Sequence, residues 1–197
     1  ERYPDDAQVH LSWSIALLFQ DNDVEARQHA ERAAELGLDS IKLNMQQGMI
    51  ARQLGNHSEA ASKFADVLEQ DPTHAEASYQ RIMALAFDAD PQARKRALKY
   101  AEEFSDQPPA SGRKFAALGA AQMANGQFDD AVRNLKRAMQ QSNWKPEYLY
   151  LVGLAMEQSD RMEDARAVAQ ALEPILQRPQ LFVTRPAAQK WVRRLRP

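Results

Sequence analysis

A 34-residue step organises this chain. The stretch Leu118–Met139, LGAAQMANGQFDDAVRNLKRAM, opens on the small pair Leu118-Gly119 and breaks at Asn125-Gly126. It continues with Phe128, Ala131, Leu135 and Ala138 at the spacing of one helix face. Moved forward by 34 residues the pattern recurs: Gly119 falls on Gly153, Ala131 on Ala165 and Ala138 on Leu172. A helical hairpin of this size cannot bury its own apolar face. A chain that repeats it is therefore predicted to stack hairpin on hairpin.

Composition agrees with helices and removes several function classes. Ala, Leu, Gln, Arg and Glu, all good helix formers, dominate, and only seven residues are Gly. Period-two runs of Val, Ile, Thr and Tyr are missing, which argues against a sheet. The formal net charge of −2 argues against bulk nucleic-acid binding. With no cysteine, disulfides, thiol catalysis and thiolate metal sites are all excluded. No run is long and apolar enough for membrane insertion. A cysteine-free chain suits periplasm and cytoplasm alike. The chain begins Glu1-Arg2 without an initiator Met, and is expected to be a fragment of a longer protein.

The Leu-Gly pair, the Gly at the turn and the Ala, aromatic or Leu, and Ala positions that follow resemble the tetratricopeptide repeat (TPR) family, whose period is 34. On this resemblance the chain divides into residues 1–6, the tail of a preceding repeat, and five repeats. The first, 7–40, has Trp13 and Leu17 inward, a turn at Asp21-Asn22-Asp23, then Ala26, Ala30 and Ala33, with Gly37 as a C-terminal cap. The second, 41–74, has Gly48, a turn at Gly55, then Ala60, Phe64 and Val67; Thr73 with Glu76 has the spacing of a capping box for the next helix. The third, 75–111, carries a three-residue insertion at Asp88-Ala89-Asp90-Pro91, where Asp90 caps and Pro91 opens a helix. The fourth is 112–145. The fifth, 146–179, turns at Ser159-Asp160. Residues 180–197 restart at Thr184-Arg185-Pro186, with Ala188, Trp191, Val192 and Leu195 on one face. They form either a C-terminal capping helix or the start of a sixth repeat. Four units spaced 34 and one spaced 37, with small residues in phase, separate the chain from the pentatricopeptide family, which reads RNA. The implied fold class is all-α: a right-handed α-solenoid of helix-turn-helix repeats with a C-terminal capping helix.

In the family, first helices line a concave groove, and the second, fifth, ninth and twelfth residues of each repeat face it. Here those positions include Leu11, Ile15, Leu18, Met45, Met49, Arg52, Tyr79, Met83, Met123 and Tyr150, a mostly apolar strip holding four of the seven methionines. The Lys and Asn with which one class of TPR domains clamps a C-terminal carboxylate are missing from these positions. The resemblance thus implies a groove for a protein or peptide partner, with an amphipathic helix or apolar segment the best fit. Methionine adapts to varied partner shapes. Lys42, Arg52, Glu76 and Arg113 would form its polar rim. The competing reading is that much of the strip is contact between neighbouring repeats, as for Ala116 and Ala120. Met49 and Met83 are expected to be open enough to accept charge without loss of the fold.

The remaining signals are weaker. Residues 1–39 hold nine acids against Arg2, Arg27 and Arg32, whereas 180–197 hold Arg185, Lys190, Arg193, Arg194 and Arg196 and no acid. This polarity would support self-association through the array ends or an acidic partner; a solvated helix face is the preferred reading. His10, His29, His57 and His74 show no i, i+4 pairing of ligand type, so no metal is expected. No catalytic constellation or phosphate loop stands out, and no cofactor is expected. Trp144 is expected to staple the junction of the last two repeats. The function implied is a non-catalytic protein-binding scaffold within a larger, bacterial assembly or envelope protein, the periplasm being favoured by analogy alone. The alternative is a substrate-recruiting or oligomerising arm of an enzyme whose catalytic domain lies outside this fragment.

Overall fold

The computed structural model describes residues 5–20, 22–142, 144–177 and 184–196. The described secondary structure is helical, and the chain divides into two compact units, Glu1–Arg81 and Ile82–Pro197. The first unit holds α1 (Ala7–Phe19), α2 (Asp23–Glu35), α3 (Ser40–Gln53), α4 (His57–Gln70) and the start of α5 (Ala75–Ala86). The second holds the rest of α5, then α6 (Pro91–Asp106), α7 (Gly112–Ala124), α8 (Phe128–Gln141), α9 (Pro146–Gln158), α10 (Met162–Leu176) and α11 (Arg185–Leu195).

Helix starts follow from short acceptors and prolines. Asp6 accepts from the amides of Gln8 and Val9, Asp39 from Lys42, Asp90 from Gln92 and Ser111 from Lys114, each satisfying a first-turn donor that has no partner within its helix. Pro91 and Pro146 open α6 and α9, where the missing N–H costs nothing. Two expected caps differ. At α5 the amide of Ala77 donates to His74 Nδ1 at 3.1 Å, while Thr73 turns back to Asp71 with both its amide and its hydroxyl. The imidazole thus takes the capping role expected of Thr73. Thr184 precedes α11 but makes no side-chain cap bond.

Helix ends share one device. Gly55 N donates to Arg52 O and Asn56 N to Ala51 O; Gly126 and Gln127, then Asp160 and Arg161, repeat the same pair of bonds. This closure places its first residue in the left-handed region, and φ is +80° at Gly55, +78° at Gly126 and +60° at Asp160. Asp21, the matching position of the first hairpin, lies outside the described residues. An L-residue pays about 1–2 kcal/mol in this region, partly offset by the extra chain entropy of Gly. Asp160 is exposed, so Asp160→Gly should raise stability by about 0.5 kcal/mol, read from the urea midpoint, while circular dichroism stays unchanged.

Small residues let the two helices of a hairpin touch. A Cβ on Gly119 would lie 2.7 Å from Leu135 Cγ and 3.0 Å from the Ala131 carbonyl, and one on Gly48 would lie 2.7 Å from the Phe64 ring. At the matching place in α1 stands Ser14, fully buried, its hydroxyl donating to the Ala26 carbonyl at 2.7 Å. The facing helices supply Ala26, Ala30 and Ala33; Ala60, Phe64 and Val67; Ala131, Leu135 and Ala138; and Ala165, Ala169 and Leu172. Trp144 departs from expectation: it sits between α8 and α9 at φ +57° with 67% of its surface exposed, and so does not staple that junction.

A candidate partner-binding surface

The ten strip positions divide by exposure. In the first unit Ile15 is open, with 38% of its surface exposed, and Met45 and Met49 are half-buried. Leu11 and Leu18 are buried; Leu18 joins Ala26, Ala30 and Ile50 in a core against which Met49 packs. Arg52 and Tyr79 are buried as well. In the second unit Met83, Met123 and Tyr150 are buried. Met83 has no exposed surface, so the expectation that it stands open does not hold. Side chains at these positions are consumed by packing, and Ile15 with the outer parts of Met45 and Met49 is what solvent reaches.

Polar links run beneath the strip. Gln46 Nε2 donates to Ser14 Oγ at 3.0 Å, tying α3 to α1. One repeat later Gln80 does the corresponding work: its Oε1 accepts from Arg52 Nη1, tying α5 to α3, and its Nε2 donates to Glu76 Oε1 at 2.7 Å. Gln46, Gln80 and Arg52 are all buried, so each hydrogen bond replaces one otherwise lost to water. Arg52, expected on the rim, is therefore part of the packing. Lys42 is exposed, and Glu76 and Arg113 are half-buried. Gln46 and Gln80 were not singled out from sequence; their 34-residue separation is the signal that would have found them.

In the second unit, Tyr150 is covered by α11. Its ring meets Trp191 edge-on at 5.7 Å, and Trp191 Nε1 donates to Glu157 Oε2 at 2.7 Å. Arg194 adds an ion pair to the same carboxylate at 2.7 Å. The hydrogen bond from Arg194 holds the Glu157 carboxyl below the usual carboxylate range, against partial burial, and the Trp191 N–H adds to it. Burial pushes the Tyr150 phenol up to about 12, and the Glu157 charge adds to the rise. Arg196 pairs with Glu173 of α10. Two of the basic residues of this segment thus fasten α11 to the hairpin before it.

One pairing was not visible in the sequence. His10 on α1 and His29 on α2 meet with their Nδ1 atoms 2.8 Å apart, and Trp13 stands edge-on to both rings. Antiparallel helices bring together residues whose separation of 19 no helical ligand pattern contains.

A family model described as tetratricopeptide repeat matches residues 122–182, and a second with the same description matches 45–108; between them they cover more than half of the chain. No curated protein matches the sequence. Among solved structures, a thermophilic TPR protein of Thermus thermophilus aligns over 94% of this chain and 98% of its own, at 16% identity and a TM-score of 0.73. MamA of Desulfovibrio magneticus RS-1 aligns over 85% and 93%, at 21% identity and a TM-score of 0.57. PilW, a widely conserved type IV pilus biogenesis factor, aligns over 96% and 90%, at 13% identity and a TM-score of 0.64. At these identities the likeness is one of fold, the all-α solenoid class. No described helix is long and apolar enough to cross a membrane.

Proposed function

Because this chain belongs to the tetratricopeptide-repeat family, we propose that it is a protein-interaction scaffold whose apolar first-helix strip receives an amphipathic helix or apolar segment of a partner. Proteins of this family are generally non-catalytic scaffolds, and the bacterial neighbours suggest work within a bacterial assembly. The observation that carries the finer reading is the open apolar surface at Ile15, continued in register by the half-buried Met45 and Met49. A partner's apolar face laid there would gain roughly 25 cal/mol for each Å² removed from water. Leu11, Leu18, Arg52 and Tyr79 would shape this surface from beneath within the first unit, whereas Met83, Met123 and Tyr150 would serve as packing within the second. Self-association through the ends would rest on Lys190 and Arg193, because Arg194 and Arg196 are held by Glu157 and Glu173.

The test is Ile15→Glu combined with Met45→Glu. Both side chains reach solvent, so the variant should keep its helical circular dichroism. A partner identified by cross-linking to the wild type should bind it at least about tenfold more weakly, since two carboxylates would be desolvated at the contact. Equal affinity for both forms would remove the strip as the binding surface.

A further inference from the structure

We propose that the cavity between the end of α10 and α11 binds a phosphomonoester group. The cavity holds about 310 Å³, the low end of the range that small ligands fill. Its basic wall comes from one helix. Arg185, Gln189 and Arg193 follow at i, i+4 and i+8, so α11 sets them in a single row along its cavity side. The helix carries no acid to offset them. Glu173 of α10 is the one acid of the lining, and Arg196 pairs with it. Three arginines against one glutamate leave the lining a surplus of two positive charges. A phosphomonoester carries roughly two negative charges at neutral pH, so the two match. Arg185 is half-buried, and its Nη2 donates to the Leu176 carbonyl at 3.2 Å. This bond fixes the guanidinium at the wall and covers a helix-end carbonyl that would repel an anion. Capping of α10 does not account for the whole row, because Arg193 lines the same cavity and makes no ion pair among the described residues. A guanidinium offers a planar fork of N–H donors that fits phosphate oxygens, and Gln189 adds an amide donor. Leu176 and Val192, both buried, form the apolar part of the wall, where the carbon atoms of the ester would lie.

The test is calorimetric titration with glycerol 2-phosphate near neutral pH, at an ionic strength held constant with sodium chloride. One equivalent should bind saturably, with a dissociation constant below about 1 mM, while glycerol should give no binding heat. A short phosphoserine peptide is titrated beside it. Tighter binding of the peptide would assign the site to a phosphorylated side chain, and tighter binding of the small ester to a free phosphorylated compound; either supports the site. Arg193→Gln, at an exposed side chain, should keep the circular dichroism and weaken binding at least about tenfold, the scale of one lost hydrogen bond to a charged group. Arg185→Gln should weaken it likewise; where that variant also lowers the unfolding midpoint, the Arg193→Gln affinity decides. Lys95→Gln with Lys99→Gln, on the exposed face of α6, should leave binding unchanged. Arg193→Gln binding as tightly as the wild type would overturn the assignment. So would heat that rises without saturating, or an equal loss from the α6 pair, since both would mean diffuse attraction to positive charge.

Discussion

Met83→Glu is expected to unfold the part of the second unit around α5, with a loss of about 4 kcal/mol or more at neutral pH. Met83 has no exposed surface and lies in a run, Ile82 to Ala86, that is buried throughout. An ionised carboxylate there has no water to solvate it, so it would bind a proton instead, and its pKa would rise above the unfolded value of about 4.3. The sign follows from that rise. The penalty is smallest below the unfolded pKa, where both states are protonated, and grows as pH rises through the folded value. Urea midpoints of Met83→Glu and wild type should therefore lie closer at pH 4 than at pH 7. Met83→Leu keeps volume and polarity and should cost less than about 1.5 kcal/mol. A Met83→Glu protein with a near-native midpoint at pH 7 would mean that this side chain reaches water, as Ile15 does in the first unit.

Much of this fold was legible in the sequence because repeats place backbone requirements in phase. Gly55, Gly126 and Asp160 were readable as turns, and each adopts the left-handed conformation such a turn imposes. Gly48, Gly119 and Gly153 were readable as close approaches, because no larger residue fits beside Phe64, Leu135 and Trp191. The surface was less legible. Position within a repeat says which way a side chain points; it does not say how much of that side is covered. Ile15 and Met83 hold the same position in their repeats, yet one is open and the other sealed. Pairings between helices were the least visible. Arg52 with Gln80, His10 with His29 and Trp191 with Glu157 join residues 28, 19 and 34 apart, and only packed helices show which of many such separations make contact. Trp144 failed for another reason. An aromatic residue beside a proline reads as packing, but φ +57° turns its side chain outward.

Trp191→Ala is expected to release α11, with a loss of about 3–5 kcal/mol. The indole is 3% exposed, fills the space that Gly153 leaves, and gives its N–H to Glu157. Truncation would leave a cavity over α9 and a carboxylate with one donor fewer. Arg194 still pairs with Glu157, but that contact is largely exposed on the arginine side and is too screened to hold a helix of eleven residues alone. Stability in repeat arrays is mostly a sum of neighbouring contacts, so the loss should appear locally. In hydrogen exchange, α11 amides should lose at least about a hundredfold in protection while α1 to α4 keep theirs, since 1.4 kcal/mol corresponds to a factor of ten. Gly153→Leu should produce the same pattern from the opposite side, because a Cβ there would stand 2.3 Å from the Trp191 ring. If instead both variants lowered protection evenly across the chain, α11 would be a keystone of global folding. A local loss makes it a detachable cover, and its detachment would bare Tyr150 and the face of α9 at Gly153.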